Sequence, residues 1–448
     1  MRAQNKRGSS ILRDLTLQFA GVLSSRLAQR ILNLLVIVML ARLLTVADYG
    51  TYGIFVTTIT LSVTLGAMGL QEALAYLIGR RPEKAGTYFG TALFILIPLI
   101  AASGSGAIFW LEISSQIEAL LWIGPVLFVI TGRLLLLCAQ GYSLAIKKMR
   151  DFNLSEAIPF AILFLGIGGA FLFEIADLML AVWLYAGAHF AISIIYALKI
   201  ILSKKFLLRA NIKHGIEVLQ YGAPYAFSMF LAIANNTAAI YILKAKGLDQ
   251  AVAFYFIAWQ ACNAILNISN ALGLVLFAHS ARSEDASAVL KDTARFASFL
   301  FWSMVIVGIV VAILSPVFIP LIFGQSYTDA VPLIQLVMVT MGFASVTRVL
   351  YRTIGGLGLP YYSTAFLIPA LAINISGSWL LIDIFGQEGA ILGLFVSQIF
   401  TLICFLGIIK IKFQKPILSF ILPTSDDLKL AAEKTRKHVK RIVNTCTS

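Results

Sequence analysis

A chain of 448 residues with 59% apolar residues, 12% charged residues and a mean hydropathy of +0.89 carries too little polar surface for a soluble globule. Its net charge of +14 argues for nucleic acid only if the bases share a face, and here they sit between apolar runs of roughly 20 residues, the length that crosses a bilayer. Composition therefore points to an integral membrane protein and against a nucleic-acid partner.

In chain order, the tail 1–14 holds Arg2, Lys6, Arg7 and Arg13, and no A-x-A site follows a short hydrophobic core, so the first span is expected to be retained. Apolar runs predict helices near Leu15 to Leu44, Tyr52 to Ile78, Tyr88 to Leu111, Ala119 to Ile146, Leu154 to Phe173 and Ala176 to Ile200. A basic linker, 201–215, follows. Further helices are expected near Ile216 to Leu243, Ala251 to His279, Ala294 to Leu314, Ala330 to Ile354, Tyr361 to Ile382 and Gly389 to Ile409. The fold class is thus an all-α integral membrane protein of about twelve transmembrane helices, six in 15–200 and six in 216–410, before a basic tail over 411–448. From about Ser425 that tail sets Leu428, Ala432, Thr435, Val439 and Ile442 on one stripe, which suits either an interfacial amphipathic helix or a disordered basic tail.

Charge orients the spans. Counted along the chain, 29 Lys and Arg fall in the two tails and in every second connection, Arg348 and Arg352 among them, against three in the opposite connections, Arg42, Lys244 and Lys246. Lys and Arg are retained on the cytoplasmic side, so both termini are expected there. Six spans per half give the halves one orientation, as in parallel repeats, and Leu219-Gln220-Tyr221-Gly222 faintly echoes Leu17-Gln18-Phe19-Ala20.

The three remaining bases, Arg26, Arg30 and Arg133, lie inside spans, where a charge costs roughly 2.5–3.5 kcal/mol on insertion scales. On the first helix Ser25, Arg26, Gln29, Arg30 and Asn33 share one face and Leu27, Ile31, Leu34 and Leu35 the other. Two guanidiniums on one face suit bidentate phosphate binding, or they pair with Glu72 or Glu156 and hold helices together. Arg133 is a third anion candidate, with a neighbouring polar side chain as its other reading. Gln260, Asn263, Asn267 and Asn270, spaced three, four and three, form a polar stripe that must face other helices or water. Asn235, Asn236, Asn374 and Gln398 extend it less specifically, since single amides also serve interhelical hydrogen bonds.

Other patterns carry less. Gly355-Gly356-Leu357-Gly358-Leu359-Pro360 lacks a preceding strand and a GK[ST] and reads as a turn. The histidines and cysteines are scattered, so no metal is expected. No cofactor and no covalent chemistry are expected, and proton or sodium coupling through Glu72 or Glu156 stays open.

Ala41-Arg42-Leu43-Leu44-Thr45-Val46-Ala47-Asp48-Tyr49-Gly50-Thr51-Tyr52 resembles the A-R-x-L-x-x-x-x-Y-G-x-Y signature of the polysaccharide transport family, the O-antigen flippase type. That family belongs to the superfamily of multidrug, oligosaccharidyl-lipid and polysaccharide exporters. Gly66 to Ala73 resembles its D-L-G-L-x-x-A-L segment, and Ile322-Phe323-Gly324-Gln325-Ser326-Tyr327 its L-F-G-x-x-Y loop, although Ala67, Met68 and Thr45 depart from the usual residues. Within the loop, Asp48 is expected to cap the second helix and Gly50 to relieve a tight reversal, so that Arg42, Asp48, Tyr49 and Gly50 serve architecture more than cargo.

The resemblance implies two six-helix bundles around a cationic central cavity, moving an undecaprenyl-pyrophosphate-linked oligosaccharide to the periplasmic leaflet of a bacterial inner membrane by alternating access. Its implied partners are that lipid-linked glycan, membrane lipids and other polysaccharide assembly proteins. A drug or cation antiporter of the same superfamily is the first rival, although the first helix has no acid between Asp14 and Asp48. A membrane-embedded glycan polymerase or ligase is the second, and it would be expected to have a large periplasmic loop.

Overall fold

The computed structural model describes residues 29–115, 118–175, 177–203, 209–282 and 285–422. Among the described residues there is no strand, and thirteen α-helices account for the spans. The described part of the first span is α1, over 29–43. There follow α2 (Val46–Gly66), α3 (Leu70–Arg80), α4 (Ala85–Ser115), α5 (Ala119–Ala145), α6 (Met149–Leu172) and α7 (Leu178–Ser203). The rest are α8 (Ile212–Ala245), α9 (Asp249–Arg282), α10 (Ala286–Phe323), α11 (Ala330–Gly356), α12 (Pro360–Phe385) and α13 (Glu388–Phe413). Among the described residues, eleven stretches from Val46–Arg80 to Glu388–Phe413 are long and apolar enough to cross a membrane, and α1 precedes them. The earlier part of the first span and the tail beyond 422 lie outside the described residues, as does the stripe expected from Ser425.

Large apolar side chains cover the outside of these helices: Leu165 is 71% exposed, Phe299 71% and Ile313 69%. In water such a surface would be untenable; in hydrocarbon it costs nothing, and packing inside relies on close backbone approach instead.

Two compact units divide the chain, 1–256 with 319–328, and 257–318 with 329–448. The division runs through α9 and α10 and not through the basic linker 201–215. In the first unit α5 packs on α3, α4 and α7, while α8 packs on α2, α3 and α4. In the second, α13 packs on α11 and α12. The α12–α13 contact is tight because Gly389 lies against the Leu381 backbone and Gly393 against Ser378, and Ser397 Oγ donates to Ala370 O at 2.8 Å.

One expected helix is broken. The second span, expected as continuous from Tyr52 to Ile78, bends at Ala67-Met68-Gly69, where Met68 (φ 46°) and Gly69 (φ 67°) adopt left-handed backbone. At this bend the Gly69 and Gly222 backbones touch: a Cβ on Gly69 would lie 2.2 Å from the Gly222 carbonyl oxygen. The glycine satisfies both demands, a positive φ and a side-chain-free surface.

The signature loop corrects two further expectations. The cap of α2 is Thr45, not Asp48: Thr45 Oγ1 accepts from the Asp48 N–H at 3.2 Å, and its hydroxyl donates to Asp48 Oδ2 at 2.7 Å. Gly50 lies inside α2, not in a reversal, and a Cβ there would stand 3.1 Å from Asp249 O on α9. We expect Thr45→Ala to cost about 1 kcal/mol, read as a lower Tm in detergent. Thr51→Ala, which removes only a hydroxyl bonded to Ala47 O at 3.1 Å, should stay within about 0.5 kcal/mol.

The other signature residues fasten the end of α1 and the start of α2 to the end of α10. Arg42 Nε donates to Ile322 O at 2.7 Å and its Nη2 to Leu321 O, the orphan carbonyls of a helix C-terminus. Tyr49 is fully buried and packs edge-on against Tyr327 and Phe256 at 6.0 and 5.8 Å.

Candidate functional site

On α1 the polar stripe continues the helix's packing face. Val36, Ile37, Leu40, Ala41 and Leu44 are buried, and at 100° per residue they project in the same arc as Gln29, Arg30 and Asn33. Ile31, Leu34 and Leu35 are exposed on the opposite arc. Toward its N-terminal end this inward face is polar: Gln29 and Asn33 are half-buried and Arg30 is exposed. Arg26 lies outside the described residues. Of the carboxylates weighed as partners or couplers, Glu72 is exposed on α3 and Glu156 is half-buried on α6.

Arg133, in the same unit, is half-buried in α5 one residue after Gly132, where a Cβ would meet the Phe190 backbone at 2.7 Å. That contact brings α7 close enough for Arg133 Nη1 to donate to Tyr185 Oη at 3.0 Å. Tyr185 sits in an aromatic cluster with Tyr52, Phe55 and His189, and its carbonyl meets His189 Nδ1 at 2.9 Å. Among the described residues no carboxylate reaches Arg133 within ion-pair distance, so its partner is a neutral phenol. The reading in which Arg133 bonds a neighbouring polar side chain is therefore the arrangement present, with no carboxylate at ion-pair distance among the described residues.

In the second unit the α9 amides form a ladder. Asn270 Nδ2 donates to Asn267 Oδ1 at 3.3 Å, and Asn267 Nδ2 to Asn263 O at 2.8 Å. Asn263 Oδ1 accepts from both terminal nitrogens of Arg348 at 3.3 and 3.2 Å. Gln260 is half-buried one turn earlier. Arg348 had been counted among the bases of a cytoplasmic connection. It instead lies within α11, eight residues before its end at Gly356, about 12 Å of helix rise. Its place on α11 was readable from the expected span Ala330 to Ile354, and the charge count obscured it.

Two of the remaining amides have structural partners, as Asn236 Nδ2 donates to Ala232 O at 2.7 Å and Asn374 Oδ1 accepts from Ser378 Oγ at 3.0 Å, whereas Gln398 Oε1 is buried with no hydrogen-bond partner among the described residues. Glu217, near the start of α8, is also engaged. It takes Arg81 Nη1 at 2.9 Å and Tyr88 Oη at 2.8 Å, while Arg81 also donates to Tyr88 at 2.9 Å. Those bonds, that to Tyr88 foremost, hold the Arg81 guanidinium above its ordinary pKa.

Each unit thus holds an arginine inside a span with a neutral partner: Arg133 with a phenol, Arg348 with an amide. Chemically, such groups can offer charge-assisted donors to an anion, and the amides can exchange donors and acceptors with hydroxyls.

The profile of a family described as "Polysaccharide biosynthesis protein" matches residues 39–332. An uncharacterized membrane protein of Methanocaldococcus jannaschii is 26% identical over 211 residues, 46% of this chain; the matched stretch spans only 40% of that relative. Among solved structures, the lipid II flippase MurJ in an inward closed conformation is similar with a TM-score of 0.70 at 14% identity, covering 89% of this chain and 88% of that one. A multidrug resistance MATE family transporter of the MOP superfamily, inward-facing, is similar with a TM-score of 0.64 at 16% identity, covering 85% and 93%. At these identities the likeness is one of fold.

Proposed function

We propose that this chain, which belongs to the polysaccharide biosynthesis protein family, is a flippase for a lipid-linked oligosaccharide, carried by alternating access from the cytoplasmic to the periplasmic leaflet of a bacterial inner membrane. The cargo we favour is an undecaprenyl-pyrophosphate-linked repeat unit. One observation carries the reading: Arg133 is held inside a span by Tyr185, with no acid at ion-pair distance among the described residues. A hydrogen bond to a charged group contributes about 1.5–3 kcal/mol, comparable to the roughly 2.5–3.5 kcal/mol cost of inserting the base. Arg133 is therefore tolerated without surrendering its charge, which stays available to a pyrophosphate. Arg26 and Arg30, on the first span of the same unit, would add to it; in the second unit, taken by itself, the α9 amides suit sugar hydroxyls.

A cation-binding antiporter of similar fold would instead need a carboxylate at mid-membrane. Glu217 is a poor fit for that role, since it is bonded to Arg81 and Tyr88 near the start of α8. Movement of cargo needs no covalent step, so the reading is transport and not catalysis, and coupling to protons or sodium is left to Glu72 and Glu156 as candidates.

The test replaces Arg26, Arg30 and Arg133 singly with Gln and with Lys and follows surface glycan in cells. Arg133→Gln is expected to lower export by at least about tenfold, and Arg133→Lys to restore part of it, because a point charge replaces the guanidinium fork. Normal export from all variants, with normal insertion, would refute the phosphate role.

A further inference from the structure

The turn between α5 and α6 builds a second basic site, away from the groups discussed so far. Lys147, Lys148, Met149, Arg150, Asp151 and Lys199 line a cavity of about 460 Å³. Four of these six residues are cations, and the single acid, Asp151, is bonded to Lys199 at 2.8 Å. The backbone creates the site: α5 closes with Lys148 N bonded to Ser143 O at 2.9 Å, which forces Lys147 into left-handed backbone (φ 59°). Lys148 then stands at the N-cap of α6, where it has no acceptor to give the free N–H groups of the first turn. Three bases and an uncapped helix N-terminus thus converge, and each favours an anion.

Position says which anion. Beside the basic mouth, Tyr142, Ser143, Ile146, Tyr196 and Ile200 close in on Lys148 and Lys199 and leave only about 10 Å³, room for no more than a water. Lys199 Nζ lies 5.6 Å from the Tyr196 ring centre, marking where polar rim meets aromatic wall. The site therefore takes a headgroup and nothing deeper: a lipid phosphodiester would rest on the bases at the ends of α5 and α6 while its chains stay in the surrounding hydrocarbon.

We infer that this cavity is a binding site for the headgroup of an anionic phospholipid. It is distinct from Arg133 and Arg348 and does not depend on the cargo proposed above. Basic recesses between spans at the cytoplasmic surface have the charge and position to hold such headgroups in the leaflet where anionic lipids concentrate.

The full-length protein in detergent is titrated with dioleoyl phosphatidylglycerol and, separately, dioleoyl phosphatidylcholine, and bound lipid is counted by native mass spectrometry. One saturable phosphatidylglycerol is expected in preference to phosphatidylcholine. K148Q/R150Q should weaken it about thirtyfold, from roughly a fivefold loss per base, while K84Q, on another exposed basic turn, should leave it unchanged. Both residues are exposed, and an unchanged Tm shows that the fold is retained. Inorganic phosphate at millimolar concentration should not displace the lipid. Equal binding of the two lipids, equal loss in K84Q, or displacement by phosphate would each overturn the assignment. So would preferential occupation by undecaprenyl pyrophosphate that K148Q/R150Q abolishes, since the site would then belong to the cargo.

Discussion

Gly69→Ala is expected to be among the most damaging single-methyl changes in this protein, lowering unfolding stability by about 2–5 kcal/mol. Two costs combine. Left-handed backbone at φ 67° penalises any Cβ by about 1–2 kcal/mol, and forcing a methyl into a filled interior adds about 1–3 kcal/mol. The second cost is firm here because the obstacle is backbone: the added carbon would meet Gly222 O at 2.2 Å, and no side-chain rotation relieves that. Gly222→Ala meets the same obstacle from the other side, at 2.2 Å from Met68 O, without the dihedral penalty. Gly79→Ala is the control, since nothing lies within 4 Å of its added carbon and a helical Ala exceeds Gly by about 1 kcal/mol. Thermal unfolding in detergent should rank the variants Gly79→Ala, wild type, Gly222→Ala, Gly69→Ala from most to least stable. A Gly69→Ala protein with wild-type Tm would show that the α3–α8 contact is looser than described.

Arg348→Leu should reduce glycan export by about tenfold or more while improving insertion of α11, because a charge within the span, of a kind that costs up to roughly 2.5–3.5 kcal/mol at the bilayer centre, is gone. Loss of export alone would not tell cargo binding from support of the α9 ladder. The partner supplies the distinction. Asn263→Leu leaves Arg348 without the Oδ1 that accepts at 3.2 and 3.3 Å, and should cost about 1.5–3 kcal/mol of stability. The double variant Arg348→Leu/Asn263→Leu removes donor and acceptor together, so Tm should recover toward wild type. If the guanidinium serves the cargo, export remains low in the double variant. Recovery of export along with stability would assign Arg348 to the scaffold alone.

Much of this was legible in the residues. Apolar runs located the eleven spans found among the described residues, since a bilayer-crossing helix needs a length that few other features mimic. The α9 stripe was visible because amides at Asn263, Asn267 and Asn270 recur at helical spacing, and in the structure that spacing is a ladder of hydrogen bonds. Arg133 stood out as a base far from any loop, but Tyr185 could not be named as its partner. That pairing depends on α5 and α7 touching at Gly132, a tertiary contact with no local signature. The bend at Gly69 was hidden for the same reason: hydropathy runs unbroken through Leu65 to Leu70, and only Gly222, far along the chain, explains it. Thr45 and Asp48 both stand at the start of the second helix in the sequence, and only the folded backbone brings the Asp48 N–H onto the Thr45 hydroxyl.

The clasp of Arg42 on Leu321 and Ile322 has a consequence for biogenesis. Its donor leaves the ribosome some 280 residues before its acceptors. Earlier helices can enter the bilayer and pair as they are made, but Tyr49 must wait for Tyr327 and Arg42 for the carbonyls that end α10. A nascent chain halted ahead of residue 319 would hold a cation without its acceptors and a tyrosine lacking one of its ring contacts, a mark by which membrane quality control could tell unfinished copies from finished ones.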